Sequence, residues 1–173
     1  SHLHYSWEKW DVGAGMTFSW IFAQKPELNY NFAIMELRPF AEVSHEQPIG
    51  KVYLQNRIRL DNRFLQNNPE ISVWEQSYYI LRIRYRAQVT IPLKKDDNEI
   101  SKISLRLSDE IMFNTKENVF DQNRVDITLD FYVNKNISVE PGYVYLYQHR
   151  LKLDEYFSRN VIRFSLIHRV SLY

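Results

Sequence analysis

The chain has 173 residues, one ordinary domain in length, with 22 Lys plus Arg against 21 Asp plus Glu and a formal net charge of +1. That balance leaves no electrostatic footprint for nucleic acid, so no such partner is expected. The lack of cysteine excludes disulfides, Cys-ligated zinc, iron–sulfur clusters and thiol catalysis, and no cofactor is expected.

In chain order the first residues, Ser1-His2-Leu3-His4-Tyr5, already alternate. They read as the tail of a further strand in a processed or incomplete chain, which leaves open whether one or more N-terminal strands are missing. Eight strands follow, at 10–23, 30–43, 51–65, 73–93, 101–114, 122–133, 137–149 and 160–173. The signal is a period of two. Val52, Leu54, Ile58, Leu60 and Phe64 share one phase, and Tyr53, Gln55, Arg57, Arg59, Asp61 and Arg63 the other. The same split recurs over 79–93, 123–133 and 162–172. Turn chemistry separates the strands at 24–27, 46–50, 66–70, 94–98 and 134–136, where Pro, Gly, Asn and Asp gather. No run of about 18 apolar residues reads as a transmembrane helix. Residues 1–173 read as a single domain, a meander of hairpins.

Alternation does not say which face is wet. A soluble sandwich or lipocalin-like barrel turns its apolar face inward, and a membrane barrel turns it outward. Three features favour the membrane barrel. Several strands run well past the ~5–6 residues usual in soluble proteins. Lys lies at turns and strand ends while Arg lies mid-strand, where its planar fork can pair with carboxylates in a narrow lumen. Closure pairs every backbone polar group without water. The aromatic content of 15% suits belts at two interfaces, with Trp7, Trp10, Trp20, Trp74, Tyr78, Tyr79, Tyr143, Tyr145 and Tyr147 as belt candidates. The expected fold is therefore an all-β, antiparallel, up-and-down transmembrane β-barrel. Its strand count is even, eight and ten both remaining open.

Two residue sets follow. Arg57, Arg59, Arg82, Arg84, Arg106, Arg124 and Arg163 are expected to form lumen ion pairs with Asp61, Glu110, Asp126, Asp130 and Glu140. Leu81, Ile83, Leu105, Ile127, Leu129, Phe164 and Leu166 are expected to face lipid.

Several segments resemble a known family. They are Glu36-Leu37-Arg38-Pro39-Phe40, the run from Arg57 to Phe64, Leu81-Arg82-Ile83-Arg84-Tyr85-Arg86 and Ile91-Pro92-Leu93. They continue with Asp109-Glu110-Ile111-Met112-Phe113-Asn114, Asp121-Gln122-Asn123-Arg124 and Glu140-Pro141-Gly142-Tyr143. Their order and spacing, from about Val12 to Tyr143, are similar to those of the domain-of-unknown-function family numbered 2490. The resemblance implies a predicted outer-membrane barrel, mostly of Bacteroidota, with no assigned activity.

The clustered charges admit two readings, an anionic-ligand site or charged pore, and a plug of salt bridges that stiffens a small barrel. The plug is the expectation. His168 and Ser171 lie in opposite phases, so they do not form a nucleophile–base pair. His149, near Tyr147 and Asp154, reads as a loop histidine. His2 and His4 have ligand spacing but sit at a chain end, and no metal site is expected. Asp109-Glu110 and Asp121-Gln122-Asn123-Arg124 read as a hydrogen-bonded cluster closing a loop.

The functional expectation is a structural or accessory barrel of a Gram-negative outer membrane, not an enzyme. Its expected surroundings are outer-membrane lipid, lipopolysaccharide and other outer-membrane proteins. A small anion-binding channel is the alternative, and a lipid-modifying enzyme the third reading.

Overall fold

A computed structural model describes residues 2–21, 33–66, 72–95, 101–116, 119–134, 136–150 and 155–168. They form one sheet of nine strands, with no helix among the described residues. The strands are β1 (His2–Trp7), β2 (Trp10–Ile21), β3 (Ile34–Ile49), β4 (Val52–Gln66), β5 (Ser77–Lys95), β6 (Ser101–Asn114), β7 (Phe120–Tyr132), β8 (Ile137–Arg150) and β9 (Glu155–His168). Each pairs antiparallel with the next, in chain order. β1 and β9 are the two edges and do not touch, so the sheet is not closed.

The tight hairpins have local causes. Trp7 pairs with Trp10 around Glu8 and Lys9, with Glu8 at a φ of 50°. Ile49 pairs with Val52 around Gly50 and Lys51, with Gly50 at a φ of 61°. Positive φ at a two-residue connection matches the right-handed twist of the flanking strands. Between β7 and β8, Asn134 Oδ1 accepts the backbone N–H of Asn136 at 2.8 Å and of Ile137 at 2.9 Å. This is the local side-chain turn that favours Asn there.

Several expected boundaries need correction. The turn expected at 46–50 is mostly strand, and β3 runs on through Pro48 to Ile49. Proline is tolerated because β2 has already ended at Trp10, opposite His45, so the far side of β3 has no ladder to interrupt beyond Glu46. Residues 73–76, expected in a strand, form a turn in which Ser72 O accepts the N–H groups of Glu75 and Gln76, both at 3.0 Å. β9 begins at Glu155 rather than 160, because Arg150 pairs directly with Glu155. Residues 2–7 make a ninth strand. The expected loops at 24–29 and 67–71, the turn at 96–100 and the segment 169–173 with Ser171 lie outside the described residues.

No second sheet or helix of the described residues lies over this sheet. Even so, one face is buried, and it is the polar one. Asp61, Thr128 and Ser138 are 0% exposed and Asp130 is 2% exposed. The opposite face presents Trp20 at 64%, Phe164 at 73% and Leu166 at 68% exposure.

The charged face as the candidate functional site

Register brings mid-strand arginines and carboxylates of β3 to β9 onto the buried face. Arg57 and Arg86 stand opposite each other on β4 and β5, and so do Arg59 and Arg84 one step along. Like charges directly opposite repel, so each such pair calls for a carboxylate. Asp61 supplies one. It accepts Arg59 Nε at 2.7 Å and Arg84 Nη1 at 3.3 Å. Glu110 on β6 supplies the next, receiving Arg57 Nη2 at 2.7 Å on Oε1 and Arg84 Nη2 at 2.8 Å on Oε2. Arg124 Nη1 lies 3.9 Å from that Oε2. Charge-assisted bonds of this kind are what a buried guanidinium requires.

Some of these contacts pass over an intervening strand. Arg106 on β6 reaches Asp130 on β7 at 3.1 Å and also Glu140 on β8 at 2.8 Å. Arg163 on β9 reaches Asp126 on β7 at 3.0 Å and Thr128 Oγ1 at 2.8 Å. It crosses β8 at Gly142, which stands between Thr128 and Arg163 in register. A Cβ there would lie 2.8 Å from Thr128 Oγ1 and 3.5 Å from Arg163 Nη2. Glycine at this position is thus a gap for a side chain. Gly13 on β2 does the same for His4, whose Nε2 is 3.6 Å from Glu42 on β3.

Of the twelve residues expected in ion pairs, eleven meet partners from within that set. Arg82 instead pairs with Asp121, at 2.9 Å. The alternation hides Asp121. A register shift between Met112 and Phe113 puts an extra residue in β7, since Met112 faces Gln122 while Phe113 faces Phe120. The bulge turns Asp121 onto the charged face. Glu36 was also missed. It is 1% exposed and holds both Arg38, at 2.7 Å, and Arg63. Glu36, Arg38 and Glu42 share one phase of β3, a signal the sequence does carry. The expected loop cluster does not form as such. Asn123 donates to Asp109 at 2.6 Å on the opposite face, whereas Glu110 and Arg124 lie on the charged one.

Among the described residues, the charged face holds no serine hydrogen-bonded to a histidine base. Ser6 Oγ donates to Asp11 Oδ2 at 2.6 Å and His4 Nδ1 lies 2.7 Å from Asp11 Oδ1. The carboxylate sits between serine and histidine, so the imidazole cannot take the serine proton. Among the described residues no group of three His, Asp or Glu converges as a metal site. His149 is 3% exposed and packs on Tyr156, 4.8 Å between ring centroids.

Leu81, Ile83, Leu105, Ile127, Leu129, Phe164 and Leu166 lie in the opposite phase from these charges. Ile83, Ile127, Phe164 and Leu166 are exposed, and Leu81, Leu105 and Leu129 are half-buried. On this face Tyr85, Tyr143 and Tyr145 stand mid-strand, and other aromatics cluster at the two ends of the strands. Tyr5, Trp7, Trp10 and His45 lie at one end, and Trp10 and His45 ring centroids are 4.5 Å apart. Phe64, Tyr79, Phe120, Tyr147 and Tyr156 lie at the other, with Tyr147 and Tyr156 stacked at 5.6 Å.

The fold and its charged face define a class, an all-β protein built as a single up-and-down antiparallel sheet. The chain belongs to the DUF2490 family, described as a protein of unknown function, whose match covers residues 2–157. No curated protein and no solved structure gives a significant match.

Proposed function

We propose that this sheet is the wall of a transmembrane β-barrel in the outer membrane of a Gram-negative bacterium. There it serves as a structural or accessory subunit of a larger outer-membrane assembly. The observation that carries this reading is the inverted burial, in which Asp61, Thr128 and Ser138 are hidden while Trp20, Phe164 and Leu166 are bare. In water that arrangement forfeits the hydrophobic gain on one face, and monomeric soluble proteins rarely expose so large an apolar patch. Against hydrocarbon it is the favourable arrangement, with charges paired inside a lumen and apolar side chains on lipid. The strands β2 to β9 run from 12 to 19 residues, above the ~9–11 that a tilted spanning strand needs. Aromatics at both strand ends fit two interfacial belts. In a bilayer the edges of β1 and β9 must each be paired, with each other or with further strands, because hydrocarbon offers no alternative partner.

The charged face is lined mainly by ion pairs, and it holds no catalytic set among the described residues. The protein therefore acts by association with outer-membrane lipid, lipopolysaccharide and neighbouring outer-membrane proteins, not by catalysis. The test is gentle detergent extraction of native membranes followed by co-purification. Fractionation with the outer membrane and stable capture of other outer-membrane proteins are expected. A lone monomer whose purified form hydrolysed phospholipid or lipid A would overturn the proposal.

A further inference from the structure

Among the described residues, the guanidinium of Arg86 on the charged face forms no ion pair. Arg86 faces Arg57 directly across the β4–β5 ladder. Arg57 is compensated, with Nη2 on Glu110 at 2.7 Å and Nη1 3.4 Å from Glu42. Glu110 stands opposite Arg86 on β6, but its two oxygens go to Arg57 and Arg84. Arg86 keeps one neutral acceptor, Gln55 Oε1, at 2.9 Å from Nη2. It forms no ion pair among the described residues, and its Nε is buried with no hydrogen-bond partner. The neighbouring opposed pair, Arg59 and Arg84, shows what is missing, because Asp61 bonds to both. No carboxylate bonds to both Arg57 and Arg86, because Glu110, beside Arg86 in register, is taken by Arg57 and Arg84.

We propose that a soluble tetrahedral oxoanion of the phosphate or sulfate class binds here, with Arg86 as its principal charge partner. The planar fork of arginine suits two oxygens of such an anion. The next row of the sheet, Gln55, Gln88 and Ser108 in register on β4, β5 and β6, supplies amide and hydroxyl donors for the others. The site lies on the charged face, away from the apolar one, so a lipid on the outer wall does not reach it. The inference needs only this face and does not depend on the proposed assembly.

The test uses the whole chain folded in detergent micelles, titrated calorimetrically with inorganic phosphate and with sulfate at constant ionic strength. Saturable one-site binding is expected, weakened at least tenfold by Arg86→Gln and unchanged by Lys102→Gln at an exposed strand end. Phosphate should raise the thermal unfolding midpoint of the native chain and leave that of R86Q unmoved. Without phosphate, R86Q should unfold no lower than the native chain, because it removes a charge that lacks a partner. If R86Q does not fold, Arg86→Lys keeps the charge but loses the fork, and binding several-fold weaker is expected. Absence of saturable binding, or equal binding by the Arg86 variants, would overturn the proposal.

Discussion

Arg84 is the residue on which the charged face turns. It is held between Asp61 and Glu110, both nearly inaccessible. Replacing it by alanine takes one guanidinium from each of two buried carboxylates, leaving Asp61 with Arg59 and Glu110 with Arg57. Breaking a buried pair from one side costs about 3–5 kcal/mol when the remaining charge is uncompensated, so Arg84→Ala, which leaves each carboxylate one partner, should lower stability by no more than about that range, measured by denaturant unfolding in micelles. Removing Glu110 as well should add less than its separate cost, since its bond to Arg84 is then already broken. Strict alternation suffices to place Arg84, Asp61 and Glu110 on one face. It does not suffice for Asp121, because the bulge in β7 changes the phase of a single residue and leaves no mark in composition. Nor does alternation say that Arg86 forms no ion pair among the described residues. That depends on which of several neighbours Glu110 selects, a matter of side-chain reach.

At the scale of elements, β8 is shaped by what passes over it. Gly142 interrupts a strand otherwise rich in Val and Tyr, where glycine ordinarily weakens pairing. Gly142→Val would press on Thr128 Oγ1 and lift Arg163 off Asp126. Overpacking at a crowded site costs about 1–3 kcal/mol, and the loss should shrink when Arg163 is already alanine. A double-mutant cycle on unfolding free energies reads that coupling. Element existence was largely legible, since long alternating runs leave little choice. Ends were less so. Pro48 reads as a break, yet it stands where β3 has lost its far neighbour. Residues 73–76 carry strand-forming Val and Trp, and fold into a turn around Ser72.

For the molecule as a whole, the question is which solvent each face meets. Both faces could be drawn from alternation, but a period of two is blind to inside and outside. The split between mid-strand Arg and terminal Lys supplied the rest of the argument. If the apolar face lies on lipid, spin labels at Leu81, Ile83, Ile127 and Leu166 should be quenched by oxygen and shielded from an aqueous nickel chelate. Labels at Thr128 and Ser138 should not follow that pattern. Leu129→Arg should cost about 2–4 kcal/mol if Leu129 lies near the midplane, read from unfolding in lipid vesicles. Aqueous accessibility at all four apolar positions would indicate a water-facing wall instead.

The contacts that pass over an intervening strand are diagonal struts. His4–Glu42, Arg57–Glu110, Arg82–Asp121, Arg106–Glu140 and Arg163–Asp126 each tie strands two apart. A ladder of backbone bonds couples nearest neighbours only, so an edge strand could peel away while its second neighbour felt nothing. Here, peeling β9 also strips Asp126 on β7 of its cation. The sheet is triangulated, and it should fray in units of two strands. Amide exchange along β7 would then rise and fall with that of β9.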